Sequence, residues 1–124
     1  MAPDAQEAYC YLTTTGRTSG RPHTIEIWFG ASENTLYLLS GGGDRSDWVA
    51  NLLRTPAVHL RVGSQEWEAT ARMVTRPEEE ARARRLLAAK YQDWREGRPM
   101  SDWASTALPI AVDLPAFPVV PGLG

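Results

Sequence analysis

The clearest pattern in the chain is the alternation at residues 23–31 (HTIEIWFGA), where Ile25, Ile27 and Phe29 fall on one side and Glu26 and Trp28 on the other. A period of two predicts a strand with one buried face. Residues 8–14 (AYCYLTT) are aromatic and β-branched, which predicts another strand. The glycines and proline of 15–22 (TGRTSGRP) predict the turn between the two. A further strand is expected at 35–39 (TLYLL), then a loop at 40–45 (SGGGDR). Ser46 is placed to cap a short helix at 47–54 that Pro56 stops, with Trp48, Val49 and Leu52 toward the core. Strands at 57–62 and 67–74, joined at Gly63 and Ser64, read as an antiparallel pair. Pro77 opens the longest helix, expected to run to about Glu96. Glu78, Glu79 and Glu80 suit its positive end, and Ala83, Leu87, Tyr91 and Trp94 make an apolar stripe. After a loop at 97–105, a last strand is expected at 108–114, beyond which Pro115, Pro118 and Pro121 block ladder pairing.

Six strands with short connections and two helices predict a mainly β (α+β) chain, an antiparallel barrel, closed or nearly so, flanked by helices. Strands and helices do not alternate, which argues against a dinucleotide-binding parallel sheet. The expected organisation is a flexible N-terminus at 1–7, one domain at 8–114 and a Pro/Gly-rich tail at 115–124.

Composition narrows the chemistry. The chain has 124 residues, 43% hydrophobic and 23% charged, enough for one core of an ordinary globular domain. A net charge of −2 gives no basic field, so nucleic acid is not an expected partner. A single cysteine, Cys10, allows no internal disulfide, and two histidines, His23 and His59, lack partners at metal-binding spacing, so no metal is expected. No apolar run is long enough to insert in a membrane and no leader pattern is seen, so a cytoplasmic location is expected. Little is left for self-sufficient catalysis, and any hard chemistry falls to a bound cofactor.

Three segments stand out. In 13–23 (TTTGRTSGRPH) a tight hairpin would gather Arg17 and Arg21 with the hydroxyls of Thr15, Thr18 and Ser19, a set that suits phosphate or carboxylate; the plainer reading is a solvated tip. In 40–52 (SGGGDRSDWVANL) glycines lead into a helix, but Asp44 and Asp47 put negative charge where a phosphate would sit, so the glycines mark close approach by a flat ligand or another backbone, or simply a turn. Five tryptophans, Trp28, Trp48, Trp67, Trp94 and Trp103, are core residues or walls for a flat ring. Twelve of the thirteen basic residues are Arg, with Lys90 the exception, a bias that fits GC-rich codon usage as well as anion recognition.

TTTGRTSGRPH followed by IEIWF, YLLSGGG, DWVANLLRTPAVHLRVG and EATARMV resembles the deazaflavin-dependent nitroreductase and quinone-reductase family, within the split β-barrel superfamily of flavin-reductase and pyridoxamine-phosphate-oxidase type. The order and spacing of these segments carry the resemblance over most of the chain. It implies a six-stranded split β-barrel and binding of coenzyme F-420, an 8-hydroxy-5-deazaflavin with a phospholactyl-glutamate tail. It implies tail contacts from Thr15, Arg17, Thr18, Ser19, Gly20 and Arg21. Ser40, Gly41, Gly42 and Gly43 would lie along the deazaflavin, with Arg45 in the neighbourhood where the family loop carries a basic residue, Trp48 and Asn51 near the ring, and Ile25 to Trp28, Ile27 included, flooring the pocket. The reaction implied is hydride transfer to an electron-poor acceptor such as a quinone, nitro compound or enone, with Trp28, Tyr91 and Trp94 as candidates for the acceptor side and a Tyr or water as proton source. An FMN-binding reductase on the same barrel, and a non-catalytic carrier or sensor of F-420, stand as alternatives. Barrels of this type commonly pair across a sheet face, which makes a homodimer an open expectation.

Overall fold

A computed structural model describes residues 2–119; Met1 and residues 120–124 of the expected tail lie outside the described residues. The strands are β1 (Cys10–Thr15), β2 (Pro22–Ile27), β3 (Gly30–Ser32), β4 (Thr35–Ser40), β5 (Ala57–Val62), β6 (Gln65–Met73) and β7 (Leu108–Asp113). The helices are α1 (Asp47–Arg54), α2 (Pro77–Tyr91) and α3 (Asp102–Thr106), and a single 3-10 turn, Gly43–Arg45, precedes α1. All seven strands form one sheet in the order β2-β1-β5-β6-β7-β4-β3 with every pairing antiparallel. β2 and β3 stand at opposite ends of that order, yet only Trp28 and Phe29 separate them in the chain. The sheet must therefore curl to bring the end of β2 near the start of β3, although the two do not pair, which gives the split, half-closed barrel expected from the sequence.

Seven strands replace the six expected, because the single strand predicted at 23–31 breaks at Trp28 and Phe29. Phe29 stays fully buried, as its alternation demands, but its backbone leaves the ladder. Its N–H donates to Tyr91 Oη (3.0 Å), and its carbonyl accepts from Lys90 Nζ (3.1 Å) and Tyr91 Oη (3.1 Å). Side chains of α2 thus take the place of a neighbouring strand, meeting the obligation of buried backbone groups.

There are three helices rather than two, since the expected loop at 97–105 contains α3, capped by Ser101 Oγ accepting from Ala104 N at 3.1 Å. α2 ends at Tyr91 rather than near Glu96; Asp93 takes a left-handed φ of 52°, which removes Trp94 from the Tyr91 stripe. Ser46 does occupy the cap position of α1, but its hydroxyl bonds Ser40 Oγ (2.8 Å) instead of the helix.

The interior of the curl is filled by Leu12, Phe29, Leu36, Leu38, Leu60, Trp67, Ile110 and Val112, with Val49 and Leu52 of α1 packed into the same cluster. The other face of β4 and β7 carries Tyr37, Leu39 and Ala111, which pack on Ala83 and Leu87 of α2. β3 and α2 approach so closely that a Cβ added at Gly30 would stand 2.8 Å from Leu86 Cβ. Among the described residues no helix is long and apolar enough to cross a membrane.

Candidate functional site

The β1–β2 hairpin closes where Gly16 N donates to Arg21 O (2.8 Å) and Gly20 N to Gly16 O (2.9 Å). Gly20 has φ +72°, which strains any other residue, and a Cβ at Gly16 would lie 2.7 Å from both His23 Nε2 and Ser19 Oγ, which would have to shift, so both positions favour glycine. Asn51 of α1, 4% exposed, ties this hairpin to the helix. Its Oδ1 accepts from Arg17 N (3.1 Å) and Arg17 Nη1 (2.8 Å), while its Nδ2 donates to the buried Thr14 Oγ1 (3.2 Å). Arg17 Nη2 meets Asp47 Oδ1 at 3.1 Å. Between hairpin and helix lies a cleft of about 430 Å³ lined by Thr14, Gly16, Arg17, Thr18, Ser19, His23, Thr24, Ile25, Asp47, Trp48 and Asn51.

This cleft gathers seven of the residues proposed from sequence: Arg17, Thr18, Ser19, Ile25, Trp48 and Asn51 line it, and Arg21 lies beside Ser19, its N–H donating to Ser19 Oγ at 3.1 Å. Among the described residues the Arg21 guanidinium has no hydrogen-bond or ion-pair partner, whereas Arg17 is already engaged by Asn51 and Asp47. Thr15 pairs with Pro22 at the base of the hairpin. Besides Gly16 at the hairpin turn, four lining residues were not among the expected coenzyme contacts: Thr14, His23, Thr24 and Asp47. A signal existed for His23 and Thr14, because the alternation that marks Ile25 and Leu12 continues by two residues to each, and the register sets the pair opposite one another.

Ser40, Gly41, Gly42, Gly43 and Arg45 line a separate cleft of about 600 Å³ with Met73, Glu80 and Arg84. Ser40 Oγ donates to Gly43 O (2.9 Å), and Gly43 has φ +63°, so a bonded serine and a left-handed glycine shape that loop.

Trp28 stacks flat on Tyr91, ring centroids 4.4 Å apart and planes 2° apart, and meets the edge of Trp103 at 5.6 Å. With Ile27, Tyr9, Glu26, Leu39 and Gln92, Trp28 and Trp103 line a third cleft of about 380 Å³. Burial raises the Tyr91 pKa, and its hydroxyl is bonded to Phe29 and to Ala8 O (2.8 Å). Trp94 stands apart, in another cleft, its indole N–H donating to Arg98 O at 2.8 Å. The three acceptor-side candidates are therefore not brought together: Trp28 and Tyr91 touch, Trp103 joins them, and Trp94 does not.

On the opposite side of the sheet, His59 bonds Glu68 Oε1 (2.5 Å) and Glu66 Oε1 (2.8 Å). Burial pulls its pKa down, but the two carboxylates outweigh burial and hold it above the ordinary value.

The model of one protein family, F420H(2)-dependent quinone reductase, matches residues 5–115. The chain belongs to this family. It is therefore an oxidoreductase of the F-420-dependent class. Solved structures share its fold. An F420-H2 dependent reductase, 23% identical, superposes with a TM-score of 0.64 over 86% of this chain and 93% of that one. An F420 reductase, 20% identical, gives 0.62 over 91% and 90%. The heme storage protein HutZ from Vibrio cholerae, 15% identical, gives 0.70 over 92% and 86%. The hairpin cleft has a donor set suited to a coenzyme of this class. Thr18 and Ser19 line it with Arg21 beside them, Ile25 and Trp48 add apolar surface, and the volume lies in the roughly 300–1,000 Å³ range of small-molecule sites.

Proposed function

We propose that this family member transfers a hydride from reduced coenzyme F-420 to a small electron-poor acceptor of the quinone, nitro-compound or enone class. The observation that carries the reading is the Arg17–Asn51 clamp, which fixes hairpin hydroxyls, Arg21, Ile25 and Trp48 around one cleft. When bound, the reduced deazaflavin supplies the hydride, so the protein's task is to hold, orient and exclude water. In this reading Thr18, Ser19 and Arg21 hold the anionic tail, while Ile25 and Trp48 support the ring. Arg17, its charge met by Asp47, holds the hairpin in place. Ile27, Trp28 and Trp103 offer the acceptor an aromatic wall. Tyr91 holds the Phe29 backbone, its hydroxyl bonded to the Phe29 and Ala8 carbonyls. Tyr9, which lines the same cleft as Trp28, or water supplies the proton.

The test is turnover. Reduced F-420 mixed with a panel of quinones, nitro compounds and enones should be oxidised faster with the enzyme than in a blank. Arg21→Ala should weaken coenzyme binding by about 1–3 kcal/mol, the range for hydrogen bonds to charged groups. Tight coenzyme binding with no turnover of any acceptor would replace the reading with that of a carrier.

A further inference from the structure

One face of α2 remains outside everything assigned above. Arg82, Arg85, Leu86 and Ala89 are spaced i, i+3, i+4, i+7, so they share a stripe beside the buried one of Glu79, Ala83 and Leu87. With Ala31 of β3 and Trp94 they line a cleft of about 480 Å³. The stripe is polarised along its length, with two guanidinium groups toward the N-terminal end and apolar side chains toward the C-terminal end. From Arg82 to Ala89 a helix rises about 10 Å. Trp94 closes the apolar end, its indole orientation fixed by the bond to Arg98 O.

The charges at this cleft are unbalanced. Lys90 also lines it, but its ammonium is committed to Phe29, lying 3.5 Å from the ring centroid and donating to the carbonyl at 3.1 Å. Among the described residues Arg85 has no hydrogen-bond or ion-pair partner, and Arg82, which reaches the Tyr37 hydroxyl, has no carboxylate partner within ion-pair distance. No Asp or Glu lines the cleft. Guanidinium forks match a carboxylate, and a half-exposed apolar floor gains by being covered.

We propose that this cleft binds an amphipathic carboxylate, its head on Arg82 and Arg85 and a single short hydrocarbon or aryl body along Leu86, Ala89, Ala31 and Trp94. The site shares no residue with the hairpin cleft, so it stands independently of the coenzyme reading.

Decanoate and decan-1-ol, equal in apolar length, serve as probes in calorimetric titrations of the whole protein. Decanoate should bind at least tenfold tighter than the alcohol. Arg82→Gln with Arg85→Gln should erase that advantage and leave alcohol binding unchanged. Ala89→Trp, which fills the groove from an exposed position, should abolish binding of both. The midpoint of urea unfolding, measured alongside, should stay at the wild-type value in each variant, showing that the fold persists. Equal affinity for the two probes, no decanoate binding, or decanoate binding that survives Ala89→Trp would overturn the proposal. So would attachment to anionic lipid vesicles that decanoate does not compete away.

Discussion

Replacing Asn51 by Leu keeps the branching and heavy-atom count of the side chain, though not its smaller volume, and removes its polar contacts, so it tests what the clamp contributes. Asn51 is 4% exposed and makes three hydrogen bonds, to Arg17 N, Arg17 Nη1 and Thr14 Oγ1. The two Arg17 donors are part-buried, one of them a backbone N–H, and each lost bond costs about 1 kcal/mol. Thr14 is 2% exposed, and a buried hydroxyl left without its donor costs about 1–3 kcal/mol. The expected destabilisation is about 3–5 kcal/mol, a fall in Tm of roughly 10–20 °C for a domain of this size. Urea unfolding followed by tryptophan fluorescence reads it directly. A double-mutant cycle with Arg17→Met should return a coupling of about 1 kcal/mol, because of the two Arg17 bonds to Asn51 that change removes only the Nη1 one, while its loss of the Asp47 ion pair is common to both arms of the cycle and cancels. Coenzyme binding should fall at least tenfold, since the untethered hairpin no longer presents Thr18, Ser19 and Arg21 together. A loss below about 1 kcal/mol with unchanged coenzyme affinity would refute the clamp.

Glu79 is buried and accepts from Arg72 Nη1 and Nη2 (2.8 Å each) and Tyr37 Oη (2.7 Å). The Arg72 hydrogen bonds, against the cost of burial and with help from Tyr37, hold its pKa at about 2 rather than 4.5. The folded value lies below the unfolded one, so the carboxylate stabilises above pH 4.5 and loses that contribution as pH falls toward 2; at about 1.4 kcal/mol per unit, less the screening around half-exposed Arg72, it amounts to about 2 kcal/mol. Glu79→Gln should be less stable at neutral pH by about that amount and show a flatter stability profile between pH 4.5 and 2 in urea titrations. His59 should titrate above 6.5 by NMR and move back toward 6.5 in Glu68→Gln; its folded pKa is raised, so its contribution is full below pH 6.5 and disappears as pH rises through the folded value. Burial lifts the Cys10 thiol to about 12, so the folded protein should resist thiol reagents at pH 8 and react within minutes once unfolded in urea; rapid labelling of the native protein contradicts that burial.

Much of the fold could be read in the sequence because its elements announce themselves locally. Alternation gives the strands, Pro56 and Pro77 bound the helices, and Gly63 turns β5 into β6. The break at Trp28 and Phe29 could not be read, since the alternation runs straight through it. What replaces the ladder there is Lys90 and Tyr91, far along the chain. Helix α3 is only five residues long, and its sole local mark is the Ser101 cap. The site shows the same division. Arg17, Thr18, Ser19 and Arg21 are neighbours in sequence, so a hairpin brings them together automatically. That Ser40–Gly43 line a different cleft from the hairpin depends on how the barrel curls. Trp94 was placed beside Tyr91 by helical periodicity, and the left-handed turn at Asp93 sends it elsewhere. Trp103 carried no pattern at all; only folding sets its edge against Trp28.

The central claim is that the hairpin cleft is an F-420 site. Titrating the purified protein with oxidised F-420 and, separately, with FMN, following quenching of tryptophan fluorescence, tests it most directly, because Trp48 lines the cleft. Saturable quenching by F-420, much weaker quenching by FMN, and a large loss of F-420 affinity in Arg21→Ala are the predicted results. Tight FMN binding without F-420 binding, or F-420 affinity indifferent to both Arg21→Ala and Asn51→Leu, would contradict it.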